Sequence, residues 1–183
     1  MRINEIFYSL QGEGFHTGTP SVFVRFAGCN LRCPFCDTDF TSFVEMSEEE
    51  VLKEIQSFGK NIPMVVVTGG EPSLQLTGSF VELLHKANYY VAVETNGTQP
   101  LPENVDWVTC SPKEGSEVVL PNANEIKVVY VGQDVEKWHT SIVAQHYFLQ
   151  PCSCANTDEV IAYIKRHPHW RLSLQTHKML GIR

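Results

Sequence analysis

Residues 26–40 read FAGCNLRCPFCDTDF, with Cys29, Cys33 and Cys36 spaced C-x3-C-x2-C in one loop. A thiolate is a soft ligand, and closely spaced cysteines in a chain without secretory features are metal ligands more often than disulfide partners. A closed structural zinc site asks for four ligands, commonly on paired C-x2-C arms. A cubic iron–sulfur cluster takes four cysteines, one per iron. Three cysteines with no obvious fourth beside them would leave one iron open to an exchangeable small molecule. Buried thiols and a structural zinc knuckle are the competing readings of the loop taken alone.

Working outward, 21–27 (SVFVRFA) is rich in β-branched and aromatic residues and predicts a strand feeding the loop. Ser47 and Glu50 form a capping box, Val51, Leu52, Ile55 and Phe58 share one helical face, and Gly59 supplies a stop. The apolar run 64–68 predicts a strand buried on both sides, and it ends on the sequence TGGEP. A helix is predicted over 79–87, and further strands over 89–95, 105–111, 125–131, 146–150 and 170–176. Helices fit 135–144 and 157–167, the latter with Asn156 and Glu159 as a capping pair.

This mostly β-α-β order implies parallel strands joined by right-handed crossovers. A closed eightfold barrel needs about 250 residues, more than the 183 present. Segments 96–104 and 112–124 are short and rich in Pro, Gly and Asn, poor material for crossover helices. The predicted fold class is therefore α/β, an open, incomplete (β/α) barrel with reduced helix content, in a single domain over 1–183. The exposed edges of such a sheet need cover, which a homodimer would supply.

The net charge of −7 argues against a broad phosphate-binding face, so a small-molecule substrate is expected and a nucleic acid is not. The N-terminal MRINEIFYSLQGEG has no apolar signal region, and no window reaches the length of a membrane span. Six cysteines in such a chain point to a reducing cytoplasm. Cys110 reads as a small core hydrophobe, and Cys152 and Cys154 as two ordinary thiols or as spare ligands.

Chemistry in parallel α/β folds gathers where strands end. Here the cysteine loop, Thr68 to Glu71, Glu94 to Gly97, Ser111 to Lys113 and Gln150-Pro151 all follow predicted strands. Gly69 and Gly70 allow close approach of the backbone to a ligand. Arg25, inside an apolar strand, needs an anion: a ligand carboxylate gripped by its fork, or a structural glutamate such as Glu13. Asp37, Thr38 and Asp39 offer hard oxygen ligands suited to Mg²⁺, or alternatively a hydrogen-bonded turn.

The cysteine triplet with Phe35 before its last member, followed by Thr68-Gly69-Gly70-Glu71-Pro72, resembles the radical S-adenosylmethionine (SAM) superfamily. The resemblance implies a partial barrel and a [4Fe-4S] cluster whose open iron chelates SAM. An electron from that cluster would release a 5′-deoxyadenosyl radical. EIFYSLQGEG, VRFAGCNLRCPFCDT, TGGEP, VETNGT, SPK and LSLQTHKMLGI together resemble the 7-carboxy-7-deazaguanine synthase family over nearly the whole chain. That family turns 6-carboxy-5,6,7,8-tetrahydropterin into 7-carboxy-7-deazaguanine with loss of ammonia, on the route to queuosine, using SAM, the cluster and Mg²⁺.

Carried over to matching positions, Cys29, Cys33 and Cys36 would bind the cluster and Thr38 would bind Mg²⁺. Phe35, Asp37, Gly70, Glu71, Ser111, Pro112, Lys113 and Gln150 would hold SAM. Leu10, Gln11, Gly12, Glu13, Arg25, Thr68 and Glu94 would surround the pterin. Glu94 and Arg25 stand as the catalytic candidates, for positioning or proton transfer and for the substrate carboxylate respectively. The family's terminal carboxylate also reaches substrate; that position here is Arg183, where proline is expected. A flavodoxin-like or ferredoxin-like electron donor is implied. The alternatives are a glycyl-radical activating enzyme, which would need an open protein-docking face, and a non-catalytic electron carrier or zinc module, which would not need TGGEP.

Overall fold

Strand β2 (Pro20–Phe26) sets the two faces of the molecule. In the computed structural model, which describes every residue except Asp37 and Phe40, Val22, Val24 and Phe26 are fully buried on one face. Alternation sends Ser21, Phe23 and Arg25 to the other. Among the described residues the sheet has nine strands; with β1 (Arg2–Leu10) and β3 (Val44–Glu45) at one edge, the order is β3-β1-β2-β4-β5-β6-β7-β8-β9. From β2 onward every pairing is parallel: β4 (Met64–Gly69), β5 (Tyr90–Thr95), β6 (Trp107–Cys110), β7 (Asn122–Tyr130), β8 (Val143–Pro151) and β9 (Arg171–Leu172). The first and last strands of that order do not pair with each other, so the barrel is open.

Helices α1 (Glu48–Ser57) and α2 (Gly78–Lys86) cover the first half of the sheet. Ser47 closes α1 with the expected capping box, and Val51, Ile55, Phe80 and Leu84 bury against Val24, Val65, Val67, Val91 and Val93. In the second half, α3 (Glu136–Ser141) and α4 (Thr157–Arg166) close a core around Ile126, Val128, Leu149 and Trp170. The links from β5 to β6 and from β6 to β7 contain no helix, as their composition requires. Cys110 is buried in the second core. Among the described residues no helix is long and apolar enough to cross a membrane.

Several expectations need correction. Residues for which the hydropathy pattern predicts no element form β1 (Arg2–Leu10), antiparallel to β2, and β3 (Val44–Glu45) extends that edge. The helix predicted over 135–144 stops at Ser141, because Ile142 is extended (φ −124, ψ 122) and the β-branched pair Ile142-Val143 leads into β8. Asn156 does not cap α4. Its amide bridges instead, accepting from Cys152 N and donating to the Tyr130 carbonyl. The strand predicted over 170–176 keeps only Arg171–Leu172; the chain then turns into α5 (Thr176–Leu180), held by Thr176 N donating to the Gly12 carbonyl.

Candidate active site

The C-terminal ends of the parallel strands surround a cavity of about 990 Å³, at the upper end of the usual size of ligand pockets. Cys29, Cys33, Phe35, Cys36 and Thr38 line it from the loop after β2, and Thr68, Gly69 and Gly70 from the end of β4. Glu94, Ser111, Lys113 and Gln150 come from the strand ends beyond, and Leu10 to Glu13 from the end of β1 and the segment after it. Arg25 and Arg183 also face it. Residues far apart in sequence thus meet because the parallel order of β2 and β4 to β8 puts their C-terminal ends on one rim, while β1 runs the other way and ends with Leu10 opposite Pro20.

The cysteine loop is seated by the glycines of TGGEP. Gly70 N donates to the Phe26 carbonyl and Glu71 N to the Gly28 carbonyl. A Cβ on Gly70 would stand 2.0 Å from Gly28 O and 3.0 Å from Cys29 Cβ, so only glycine permits this approach. All three thiols are free. Burial raises the pKa of Cys29, the Leu31 N–H bond opposes it, and Glu71, Cys33 and Cys36 add to the rise. Three free thiols from one loop at the rim of the cavity are soft donors of the kind that hold an iron–sulfur cluster.

Glu71 sits behind the wall of the cavity. Its carboxylate is fully buried and accepts from Ser73 N (3.0 Å), Ser73 Oγ (2.6 Å), Thr95 Oγ1 (2.7 Å) and Asn96 N (2.7 Å). It ties the turn after β4 to the end of β5 and does not line the cavity; neither does Pro112. Asp37 lies outside the described residues. Asp39 lines the cavity beside Thr38 and is engaged in a turn, accepting from Thr41 N and Oγ1. Lys113 donates to Ser111 Oγ at 2.7 Å and lies 5.9 Å from the Phe35 ring centroid; burial lowers its pKa.

Arg25 does meet a glutamate, but the partner is Glu5 of β1 and not Glu13 (Nε to Oε1, 2.8 Å). Register explains this, since Glu5 stands opposite Arg25 in the β1–β2 ladder. The Arg183 guanidinium also pairs with Glu5 and lies 4.9 Å from the Phe7 ring centroid. The last residue therefore brings a second cation to this corner, in addition to its main chain, which accepts from Ser9 Oγ.

Glu13 is instead one end of a buried ladder: Lys127 Nζ lies 2.8 Å from Glu13 Oε2 and 2.8 Å from Glu94 Oε2. Gln175 Nε2 donates to Glu13 at 2.9 Å and Gln11 Nε2 to Glu94 at 3.3 Å. Burial opposes the charge on Lys127, but Glu13, Glu94 and Glu125 outweigh it and hold the ammonium above the usual lysine range. Burial likewise pushes Glu13 up, and Lys127 overcomes this to bring it down to about 2. Neither Lys127 nor Glu5 is singled out by sequence reasoning. For Lys127 a signal exists: in NEIKVV, charges at 125 and 127 alternate with buried Ile126 and Val128, which aims them at the cavity side.

Residues 23–142 match the radical SAM superfamily model. A 7-carboxy-7-deazaguanine synthase of Bacteroides thetaiotaomicron is 53% identical over 182 residues, covering 100% of this chain and 98% of the relative. The chain belongs to the 7-carboxy-7-deazaguanine synthase family of radical SAM proteins. A synthase of the same name from Bradyrhizobium diazoefficiens is 41% identical over 208 residues, covering 99% of the chain and 98% of that protein. The crystal structure of QueE from Escherichia coli superposes with a TM-score of 0.81 at 31% identity, covering 94% of this chain and 92% of that one. The open radical SAM barrel is thus the shared fold, and the cysteine loop and TGGEP turn lie within the stretch that matches the superfamily model.

Proposed function

We propose that this chain, acting as one domain over 1–183, is a 7-carboxy-7-deazaguanine synthase that converts 6-carboxy-5,6,7,8-tetrahydropterin into 7-carboxy-7-deazaguanine and ammonia. The observation that carries the reading is the 53% identity along the whole chain to a relative of that name. The polar constellation opposite the cysteine loop supports it.

Cys29, Cys33 and Cys36 would hold a [4Fe-4S] cluster, with SAM beside it against Phe35, Gly70, Ser111, Lys113 and Gln150. Bound together, these groups supply one-electron cleavage of SAM and hence reversible abstraction of a hydrogen atom from substrate. Glu71 acts one step back, fixing the TGGEP turn through its hydrogen bonds. The remaining walls bind and orient the pterin. Arg25 is suited to the substrate carboxylate, which would take the place of Glu5 on the guanidinium. Glu13 and Glu94 each offer carboxylate oxygens to the N–H groups of an aminopyrimidinone ring, and Lys127 keeps both from reorienting. Leu10, Gln11, Gly12 and Thr68 complete the walls. Thr38 would contribute an oxygen to Mg²⁺ held together with substrate oxygens.

The chain would work in the cytoplasm as a homodimer, consistent with the exposure of Tyr8, Met179 and Leu180. Its electron would come from a flavodoxin-like or ferredoxin-like protein. The test is anaerobic incubation of the cluster-loaded protein with the carboxy-pterin, SAM and a reductant. A deazaguanine product with one ammonia per turnover is expected; reductive cleavage of SAM with the pterin recovered unchanged would contradict the assignment.

A further inference from the structure

Away from this cavity, α3 and the link between α4 and β9 bring together Glu136, His139 and His169, each with a possible ligand atom within 4.8 Å of the others. None of the three lines the cavity. We propose that Glu136, His139 and His169 bind one divalent transition-metal ion of the zinc, cobalt or nickel type, clamping α3 to the α4–β9 link.

The donor set is two imidazoles and a carboxylate, which suits borderline metals and leaves positions for water. Glu136 and His139 stand three residues apart and so share one helix face. The cluster is also held in place by its surroundings, as metal ligands generally are. Glu136 Oε1 accepts from Trp170 Nε1 and Tyr163 OH, both at 2.9 Å. These bonds aim Oε2 at His169 Nε2, 2.9 Å away. The His139 ring lies between those of Tyr147 and His169, with centroids at 4.6 and 4.2 Å. A third imidazole, His167, has Nδ1 3.5 Å from Glu136 Oε1. Trp170 and Trp138 beneath the site belong to the second core, so a bound ion would brace the half of the sheet that ends in Gln150.

The test uses untagged, cluster-loaded protein, so that the three cysteines of the loop are already engaged. Anaerobic titration with Co²⁺ is expected to show one equivalent of visible d–d absorption without the thiolate charge-transfer band that cysteine ligation would add. Zn²⁺ should compete for the same site and, at a hundredfold excess over its Kd, raise the melting midpoint by roughly 5–10 °C. His139→Ala and His169→Gln should each weaken binding by at least the roughly 10–100-fold that losing an outer-shell partner costs, with the metal-free melting midpoint little changed. His85→Ala, at a remote His–Asp pair, should leave binding intact. Glu136 is left in place because it also holds Trp170 and Tyr163. Absence of the cobalt spectrum at millimolar metal would overturn the proposal, since Glu136, His139 and His169 would then be a hydrogen-bonded surface group only. Binding that persists unchanged in both His139→Ala and His169→Gln would overturn it as well.

Discussion

Glu125→Gln should stabilise this protein, and by an amount that grows with pH. Glu125 is buried at 1% exposure. Its Oε2 accepts from Phe15 N at 2.8 Å, while Oε1 has no hydrogen-bond partner among the described residues. Burial drives its pKa from the ordinary 4.5 up to about 7; Lys127 opposes the rise, and Glu94 and Glu13 reinforce it. A carboxyl whose folded pKa is raised binds its proton more tightly folded than unfolded. Stability is therefore unaffected below pH 4.5 and is lost as pH climbs from there through about 7. Integrating that difference gives a cost of about 3 kcal/mol at pH 8, about 2 at pH 6 and under about 1 at pH 5. Glutamine keeps the acceptor for Phe15 and cannot ionise, so it removes this cost. Urea unfolding followed by tryptophan fluorescence suits the measurement, because Trp107, Trp138 and Trp170 are all buried. The gain of the variant over the parent should rise steeply from pH 5 to about pH 7 and level off above it. A gain independent of pH, or a loss at pH 8, would refute the assignment of an uncompensated buried carboxyl.

Lys127→Met should cost roughly 3–5 kcal/mol near neutral pH, because it leaves two or more buried carboxylates without their cation. Since Glu13 is held down to about 2, the stability it draws from Lys127 is present above 4.5 and fades as pH falls toward about 2. The deficit in urea titrations should shrink over that range. Gly70→Ala should lower iron per chain after reconstitution, because the added Cβ meets Gly28 O at 2.0 Å; full iron loading would contradict the seating described for the cysteine loop. Arg25→Ala should raise KM for the carboxy-pterin far more than it weakens SAM binding, and equal losses in the two would make Arg25 a structural partner of Glu5.

The parts of this fold that are legible in the sequence have a single dominant driving force. Residues 64–68 are an apolar run of strand length whose first four members are buried, and Ser47 with Glu50 announces a helix start in purely local chemistry. The strand-end location of the site follows from parallel connectivity alone. What escapes sequence reasoning depends on tertiary partners. In β1 the register shift between Ile3 and Glu5 breaks the period-two pattern that would have revealed it. Beyond Leu172 only an edge strand could continue, and the chain bonds to Gly12 instead. The partner of Arg25 could not be chosen between Glu5 and Glu13 without knowing that Glu5 lies across the ladder and that Lys127 claims Glu13. Glu71 shows the same limit: TGGEP marks the turn, but only the fold reveals that its carboxylate reaches Thr95 and Asn96.

Cys29, Cys33 and Cys36 would hold the cluster, and SAM would bind it at an iron that no cysteine takes. Protein rebuilt anaerobically with iron and sulfide, then reduced, should contain four irons per chain and show an electron paramagnetic resonance signal whose g values shift when SAM is added. A signal that SAM leaves unchanged, or cluster content undiminished in Cys29→Ala, Cys33→Ala and Cys36→Ala alike, would contradict it.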